Sequence, residues 1–357
     1  MKKYIYLAAS FAAAALCSCN KQNPVQTIMH EPDGCAQIAL SLAGSRSTKA
    51  SVDGTDVENE VGTVDVFVFF KGGEFDGRLD AYEHFDTAPY TLSATAGDRT
   101  IYAVVNSEHS KSVLETISTQ TELLSKMATL SSQKNASNKP GLFTMIGSVN
   151  RTEATSNALV AGVNSVTVTV DRMVSRVRLQ KITRAFESSA LASQDFRVDE
   201  VYLANAESVD EYGPGHAPAA DEFVNKLGVP DESYDIWLRR ALSSTLANNE
   251  SKTLTDASYS LYAMPNPVDT DSEATPFTVR NTKLVVKATL AGKALYYVIP
   301  LGAIRGNTTY DISELVLTRP GSSDPEQKTE VASCTFTLEI SPWTVVPVET
   351  ETGRYVI

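Results

Sequence analysis

A long series of short segments rich in β-branched and aromatic residues, separated by turn residues, runs through this 357-residue chain. Such segments are typical of β-strands, and many strands with few helices indicate β-sandwich domains. The pattern predicts strands at Ala36–Ala43, Val64–Phe70, Arg99–Val105, Phe143–Val149, Ser165–Val170, Val174–Ile182, Val198–Asn205, Tyr259–Met264, Lys283–Leu290, Leu295–Pro300, Tyr310–Thr318 and Ser333–Ile340.

The clearest helical pattern covers Ser110–Thr129, where apolar residues recur every three or four positions and Ser110 is placed to cap the helix. Residues 206–258 are polar and irregular. The length suits two ordinary domains, and a boundary between two strands falls near Asp171 and Arg172. We therefore expect β-rich domains at 47–171 and 172–357.

The first nineteen residues have the features of an export signal. A basic start is followed by an apolar run at Leu7–Leu16, which is too short to span a bilayer. Leu16-Cys17-Ser18-Cys19 then has the pattern of a bacterial lipobox, in which residues 1–18 are removed and Cys19 is lipidated. The alternative is an ordinary secretory signal that is cut near Ser18. The pattern favours an exported lipoprotein that carries palmitate or a similar acyl chain.

A removable segment is expected at 19–46. The strand Ala36–Ala43 alternates, with Ile38, Leu40 and Leu42 on one face, as a half-buried strand does. A small polar segment with two basic residues, Arg46 and Lys49, follows it. Segments of this composition are exposed and easily cut by proteases.

Composition and motifs argue against several classes of function. The net charge of −12 disfavours nucleic acid as a partner. No nucleotide-binding, zinc-protease or nucleophile-elbow motif is present, so no enzyme activity, cofactor or metal is expected. The four histidines are scattered and read as surface residues, and the acidic stretch Asp53–Glu60 reads as a solvated loop, because it lacks the spacing of a calcium loop.

Two cysteines remain outside the signal region. Cys35 and Cys334 could pair in an oxidising compartment, but one pair is not a disulfide framework. Removal of the segment that carries Cys35 would leave Cys334 as a single core thiol.

The C-terminal third carries a recognisable order of motifs. Arg305-Gly306-Asn307-Thr308-Thr309-Tyr310-Asp311-Ile312 is followed by a Gly-x-x-x-Pro turn at 321–325 and by a terminal strand that contains Cys334 and Trp343. This order resembles the major fimbrillins of Bacteroidales, the type V pilins, although Gly306 separates the family's Arg and Asn. The N-terminal lipobox, the strand followed by Arg46, Gly97–Thr100 and Arg172–Arg178 also resemble family landmarks, whereas 183–300 matches weakly apart from Tyr262–Asn266.

The resemblance implies a mostly β fold: two transthyretin-like β-sandwich domains in tandem with a few short helices, preceded by a lipoprotein signal peptide. It also implies a fimbrial subunit of the shaft that is cut between Arg46 and Ser47, with Lys49 as the alternative site. The cut would release the strand of Ile38, Leu40 and Leu42 and leave a groove. A strand donated by another copy would fill that groove.

The candidate donor lies in the last stretch, Thr344–Ile357, because chain ends are the least tied-down parts of domains. Its apolar residues are Val345, Val346, Val348, Tyr355 and Val356. Loss of residues 1–46 would change the net charge from −12 to −14, since it removes four basic and two acidic residues.

The expected partners are other copies, related fimbrial subunits and, before maturation, the outer membrane through the lipid on Cys19. The mature subunit is expected in an extracellular fimbria that supports adhesion to an unidentified surface ligand. The alternatives are a tip or anchor subunit, or a monomeric surface lipoprotein that binds a glycan or a host protein. For the monomeric protein, the candidate binding aromatics are Tyr234 and Trp237. We favour the interpretation that both are packing residues over the interpretation that they bind a ligand.

Overall fold

The computed structural model describes residues 34–44, 52–53, 57–254, 259–270, 277–329, 333–344, 348–349 and 355–356. The fold is mostly β with a few short helices, as expected. The strands of the N-terminal half are β1 (Cys35–Gly44), β2 (Val52–Asp53), β3 (Val64–Phe70), β4 (Leu79–Phe85), β5 (Tyr90–Thr95), β6 (Arg99–Val105), β7 (Met127–Thr129), β8 (Met145–Arg151) and β9 (Gly162–Arg172).

The C-terminal half is also built mainly of strands. They are β10 (Ser175–Leu179), β11 (Lys181–Arg184), β12 (Phe196–Ala204), β13 (Ala206–Glu207), β14 (Val209–Glu211), β15 (Phe223–Val224), β16 (Arg239–Thr245), β17 (Ser251–Thr253), β18 (Leu261–Ala263), β19 (Lys283–Leu290), β20 (Lys293–Pro300), β21 (Thr308–Leu317), β22 (Cys334–Thr344), β23 (Val348–Glu349) and β24 (Tyr355–Val356).

The helices are short. They are α1 (Lys111–Leu114), α2 (Gln120–Leu124), α3 (Ser189–Ala192) and α4 (Asp235–Leu238), with single 3₁₀ turns at Leu130–Ser132, Glu153–Thr155, Lys226–Gly228 and Glu232–Tyr234. Among the described residues, no helix has the length and apolarity needed to cross a membrane.

The N-terminal sheet has seven strands in the order β4-β3-β6-β8-β9-β1-β5. Strict alternation in β9, whose residues Val166, Val168 and Val170 are buried while their neighbours are exposed, is the period-2 pattern of a strand with one core face. The buried faces of these strands enclose one hydrophobic core. A second core begins on the other side of the sheet, at Phe67 and Phe69, and continues through the C-terminal half.

The C-terminal half holds two larger sheets. One has the order β17-β11-β21-β10-β18, in which β10 and β11 pair with successive parts of the same side of β21. β22 pairs with the other side of β21, and β2 pairs with the end of β22. The other has the order β16-β12-β19-β20. β22 therefore lies at the edge of its sheet, and among the described residues only β2 pairs with its outer side, at Trp343 and Thr344.

The strand predictions are largely confirmed, and three have the predicted bounds: Val64–Phe70, Arg99–Val105 and Lys283–Leu290. Val174–Ile182 is instead two strands, β10 and β11, because the chain leaves the ladder at Gln180, whose N–H donates to the Ile312 carbonyl (2.9 Å). Residues 206–258 are more regular than their composition indicates, since they contain β13 to β17 and α4.

The prediction of one long helix at Ser110–Thr129 is wrong. The segment forms α1, α2 and the strand β7, because Thr119 and Glu122 make a capping box that starts a second helix. Ser110 occupies the N-cap position of α1, but its hydroxyl makes no capping bond. The short helices still pack apolar residues into the core, as the periodicity indicated.

Candidate functional site

The strand β1 lies inside the N-terminal sheet and not at its edge. It pairs in parallel with β9 from Ala36↔Gly162 to Gly44↔Val170, and antiparallel with β5 from Cys35↔Thr95 to Leu40↔Tyr90. β9 and β5 therefore have no ladder with each other at this position, and β1 alone joins them. Removal of β1 would expose two facing rows of unpaired backbone groups.

The side chains of β1 bind it to the core. Ile38 is fully buried and Leu40 nearly so, while Leu42 is half-buried. Ile38 lies opposite Leu92 of β5 in the register, and all of these apolar residues belong to one core with the inward-facing valines of β9. The predicted inward face is thus present, and a strand leaving this place would open an apolar groove as well as two backbone edges.

The other residues of the predicted maturation region fall outside the described residues. Cys19 lies before residue 34, and Arg46, Ser47 and Lys49 lie between β1 and β2. Lipidation at Cys19 and cleavage after Arg46 remain predictions. The described chain resumes at β2 and continues from Val57 onward.

The C-terminal segment is described in part. Val345 and Val346 lie outside the described residues, whereas Val348 is in β23, and Tyr355 and Val356 are in β24, which pairs antiparallel with β23. Before that segment, β22 carries two exposed apolar side chains, Phe336 (41% exposed) and Ile340 (59% exposed), while Cys334 and Trp343 at its two ends are buried.

A buried charged cluster lies where the two halves of the chain meet. The Glu58 carboxylate accepts hydrogen bonds from Arg176 Nη1 at 2.8 and 3.0 Å and from the Tyr262 hydroxyl at 2.8 Å. Arg172 donates to the Glu58 carbonyl through Nε (3.0 Å) and to the Asn59 side chain. The solvated loop predicted for Asp53–Glu60 is therefore wrong for its last residues: Glu58 is 3% exposed, because it has cationic partners that compensate for its lost hydration.

Trp343 completes this cluster from the C-terminal side. The guanidinium carbons of Arg172 and Arg176 lie 4.3 and 4.5 Å from the centre of its indole, which also packs against Phe143 and Tyr262. Burial and the nearby Arg176 lower the pKa of Arg172 to about 9, although the Glu58 carboxylate opposes this change. Burial and Glu58 together raise the pKa of the Tyr262 hydroxyl above its usual range.

This cluster was not predicted as a unit. In the sequence, Arg172–Arg178 resembles a family landmark and nothing more, yet Arg172 and Arg176 are four residues apart and both are buried in the cluster. The sequence feature that could have indicated a buried charged cluster is this pair of arginines beside apolar strand positions. Their partner Glu58 lies more than one hundred residues away in the chain, so no local pattern could supply it.

Among the described residues, the aromatic and histidine residues that were considered as ligand-binding or metal-binding candidates have structural partners within the protein. Trp237 is buried and donates its indole N–H to the Gln133 carbonyl (3.2 Å), and Tyr234 packs beside it, so the packing interpretation is confirmed. The histidines that are described are not freely exposed: for example, His84 Nδ1 lies 2.7 Å from the Asp65 carboxylate. Within the described residues, no group of three His, Cys, Asp or Glu could hold a metal ion.

Cys334 is the core thiol that was expected. It is 4% exposed and free, and burial raises its pKa to about 11. Cys35 lies in β1 of the other sheet, and the two cysteines do not form a disulfide.

Residues 36–178 match the family of the major fimbrial subunit protein (FimA). The resemblance to the fimbrillins is thereby confirmed, and the matched stretch begins inside β1 and ends in β10. No curated protein matches the sequence of this chain.

Several solved structures share the fold. A candidate cell adhesion protein from Bacteroides eggerthii is 16% identical, with a TM-score of 0.59 over 88% of this chain and 97% of its own. A fimbrilin from Porphyromonas gingivalis is 14% identical, with a TM-score of 0.56 over 88% and 99%. The tip fimbrial protein Mfa3 of the same species, solved with a C-terminal truncation, is 13% identical, with a TM-score of 0.52 over 87% and 100%. At these identities the likeness is one of fold.

Proposed function

We propose that this chain is a structural, non-enzymatic subunit of a cell-surface fimbria that polymerises by exchange of β-strands. The observation that carries the proposal is the position of β1: an internal strand that alone joins β9 and β5, followed directly by the basic segment with Arg46 and Lys49. The similarity to fimbrial subunits over residues 36–178 supports it.

The first step is maturation of the exported lipoprotein. We propose that Cys19 is lipidated at the outer membrane and that a protease cuts between Arg46 and Ser47, or after Lys49. Because Cys19 and β1 are on the same side of the cut, a single cleavage would release both the lipid anchor and the strand. The two proposed domains, 47–171 and 172–357, would remain in the mature subunit.

The second step is replacement of β1 by a donor. An empty place between β9 and β5 exposes two backbone edges and the apolar surface that Ile38 and Leu40 now cover, so a strand from another subunit is strongly favoured there. The donor that we propose is the C-terminal segment after Trp343, with Val345, Val346, Val348, Tyr355 and Val356 as its apolar residues. The partners are then other copies and related fimbrial subunits.

A shaft subunit must both accept and donate a strand, and the chain has an internal strand to lose and a segment to give. We therefore favour the shaft, where the polymer would support adhesion. The alternative is a tip role, and one observation favours it: the fold is also shared with a tip fimbrial protein.

The proposal is tested by supplying β1 from outside. A synthetic peptide of residues 35–44 should occupy the groove of the matured subunit and stop filament growth. A matched peptide with Ile38→Asp and Leu40→Asp should have no effect, because it cannot fill the apolar groove. Filament length by electron microscopy is the readout, and equal growth with both peptides would refute strand exchange at this site.

Two variants test the maturation steps separately. Cys19→Ala should abolish labelling by a fatty-acid probe, and Arg46→Ala with Lys49→Ala should leave a folded precursor that does not polymerise. N-terminal sequencing of sheared wild-type filaments should begin at Ser47 or just after Lys49. A sequence that begins at or before Ala36 would contradict removal of β1.

A further inference from the structure

We infer that Glu58, Arg172, Arg176 and Trp343 form a clamp that holds the new N-terminal segment and the root of the C-terminal segment on the subunit during strand exchange. This inference rests on the proposed function and deepens it. It assigns positioning roles to four buried residues that lie outside both the removable strand and the proposed donor.

The N-terminal side of the clamp is the chain just after the proposed cleavage site. β1 ends at Gly44, and Glu58 follows fourteen residues later, with the cleavage site between them. Arg172 and Arg176 bind both the backbone carbonyl and the carboxylate of Glu58, so this point is held by side chains of β9 and β10. A cut at Arg46 would thus free β1 without releasing Glu58.

The C-terminal side is the last buried residue before the proposed donor. Trp343 is fully buried, its backbone N–H donates to the Asn307 carbonyl (2.8 Å), and its backbone pairs with Val52 of β2. The chain beyond Thr344 is the part that must leave to reach another subunit. Tension on a donated segment would therefore enter its own subunit at Trp343.

The two sides depend on each other through the arginines. Arg176 is paired with the Glu58 carboxylate, and Arg172 donates to the backbone carbonyl of the same residue. The electron-rich face of the indole supplies a further attraction for both cations. Loss of Glu58 would leave two like charges buried with less compensation, and loss of the indole would remove their shared packing surface. Each end should therefore weaken when the other is changed, although the two residues are 285 positions apart in the chain.

The ring face of Trp343, and not its N–H, is the part that the clamp uses. Among the described residues, the indole N–H has no hydrogen-bond partner. Phenylalanine can preserve the aromatic face, whereas leucine cannot. Trp343→Phe is thus the conservative variant that should retain the clamp, and Trp343→Leu is the variant that should lose it.

The coupling is tested by hydrogen exchange on the full-length precursor, made soluble by Cys19→Ala. Glu58→Gln should speed amide exchange in 334–344, and Trp343→Leu should speed exchange in 57–60, by about tenfold or more. Arg184→Met is the control for loss of a buried arginine, because Arg184 is equally buried and stacks on two phenylalanines, while its guanidinium donates to the carbonyls of Leu191, Gln194 and Leu246. Only β21 separates Arg184 from Cys334, so the control is read at 57–60 and 338–344. Changes confined to the mutated segment, or equal changes in the control, would overturn the clamp.

A second measurement keeps the clamp testable if Glu58→Gln does not fold. Filaments of Trp343→Leu should dissociate in warm detergent at a lower temperature than those of wild type, and Trp343→Phe should restore the wild-type temperature. The clamp would be refuted, and strand exchange left intact, if wild-type filaments form normally and Trp343→Leu filaments dissociate in detergent at the same temperature. Failure of the wild-type chain to form filaments would instead refute the proposed function, while the exchange experiment still decides the coupling.

Discussion

A substitution in β1 should destabilise the precursor but not the filament, because the strand is present only before maturation. Ile38→Ala is the sharpest such change, since Ile38 is fully buried in the N-terminal core. The matched control is Leu92→Ala, which removes a buried side chain directly opposite Ile38 on β5, a strand that stays in the mature subunit.

The size of the effect follows from the cavity that each substitution leaves. Truncation of a buried isoleucine or leucine to alanine costs about 2–5 kcal/mol. At about 2–4 °C per kcal/mol for a domain of this size, the precursor's melting temperature should fall by roughly 4–20 °C in either variant. That cost is a large fraction of a typical domain stability of about 5–15 kcal/mol.

The assay compares thermal unfolding of the soluble precursor with thermal dissociation of assembled filaments. Ile38→Ala filaments should dissociate at the wild-type temperature, because the donated strand has replaced residue 38, whereas Leu92→Ala should weaken both species. If Ile38→Ala lowers the stability of the filament as much as that of the precursor, β1 has remained in place and the strand-exchange argument is wrong.

Two further predictions concern parts of the fold away from β1. Burial raises the pKa of Glu207 to about 8 from an ordinary value of 4.5, so its contribution to stability is complete below pH 4.5 and is lost as the pH rises through 8. Glu207→Gln should therefore make the free energy of unfolding between pH 5 and 8 less dependent on pH, as measured by urea unfolding. Glu153→Gln, at an exposed site, is the control, and an unchanged pH profile in Glu207→Gln would contradict the burial argument. A Cβ on Gly147 would lie 1.8 Å from the backbone carbonyl oxygen of Thr169, so Gly147→Ala must force β8 and β9 apart. Gly147→Ala should therefore greatly reduce the yield of folded precursor, whereas Ser148→Ala, at the exposed neighbouring residue, should not. Equal yields would show that the strands can separate at little cost.

Local patterns in the sequence were sufficient for most strands. β3, β6 and β19 have the predicted bounds, because alternation and β-branched residues are properties of the segment itself. The helical region shows the limit of periodicity: Leu114, Ile117 and Leu123 are buried with helical spacing, but the Thr119–Glu122 capping box divides the segment. That capping signal was present in the sequence and would have corrected the prediction.

Tertiary structure alone decided where β1 lies and what becomes of the acidic stretch. Alternation shows that Ile38 and Leu40 share a face, but a parallel partner such as β9 lies more than one hundred residues away, and nothing in a strand's own sequence names its neighbours. Glu58 is buried for the same reason: its carboxylate is stabilised by Arg176, which the fold brings to it across 118 positions. The cost of burying a charge depends on its surroundings, and those surroundings exist only once the chain has folded.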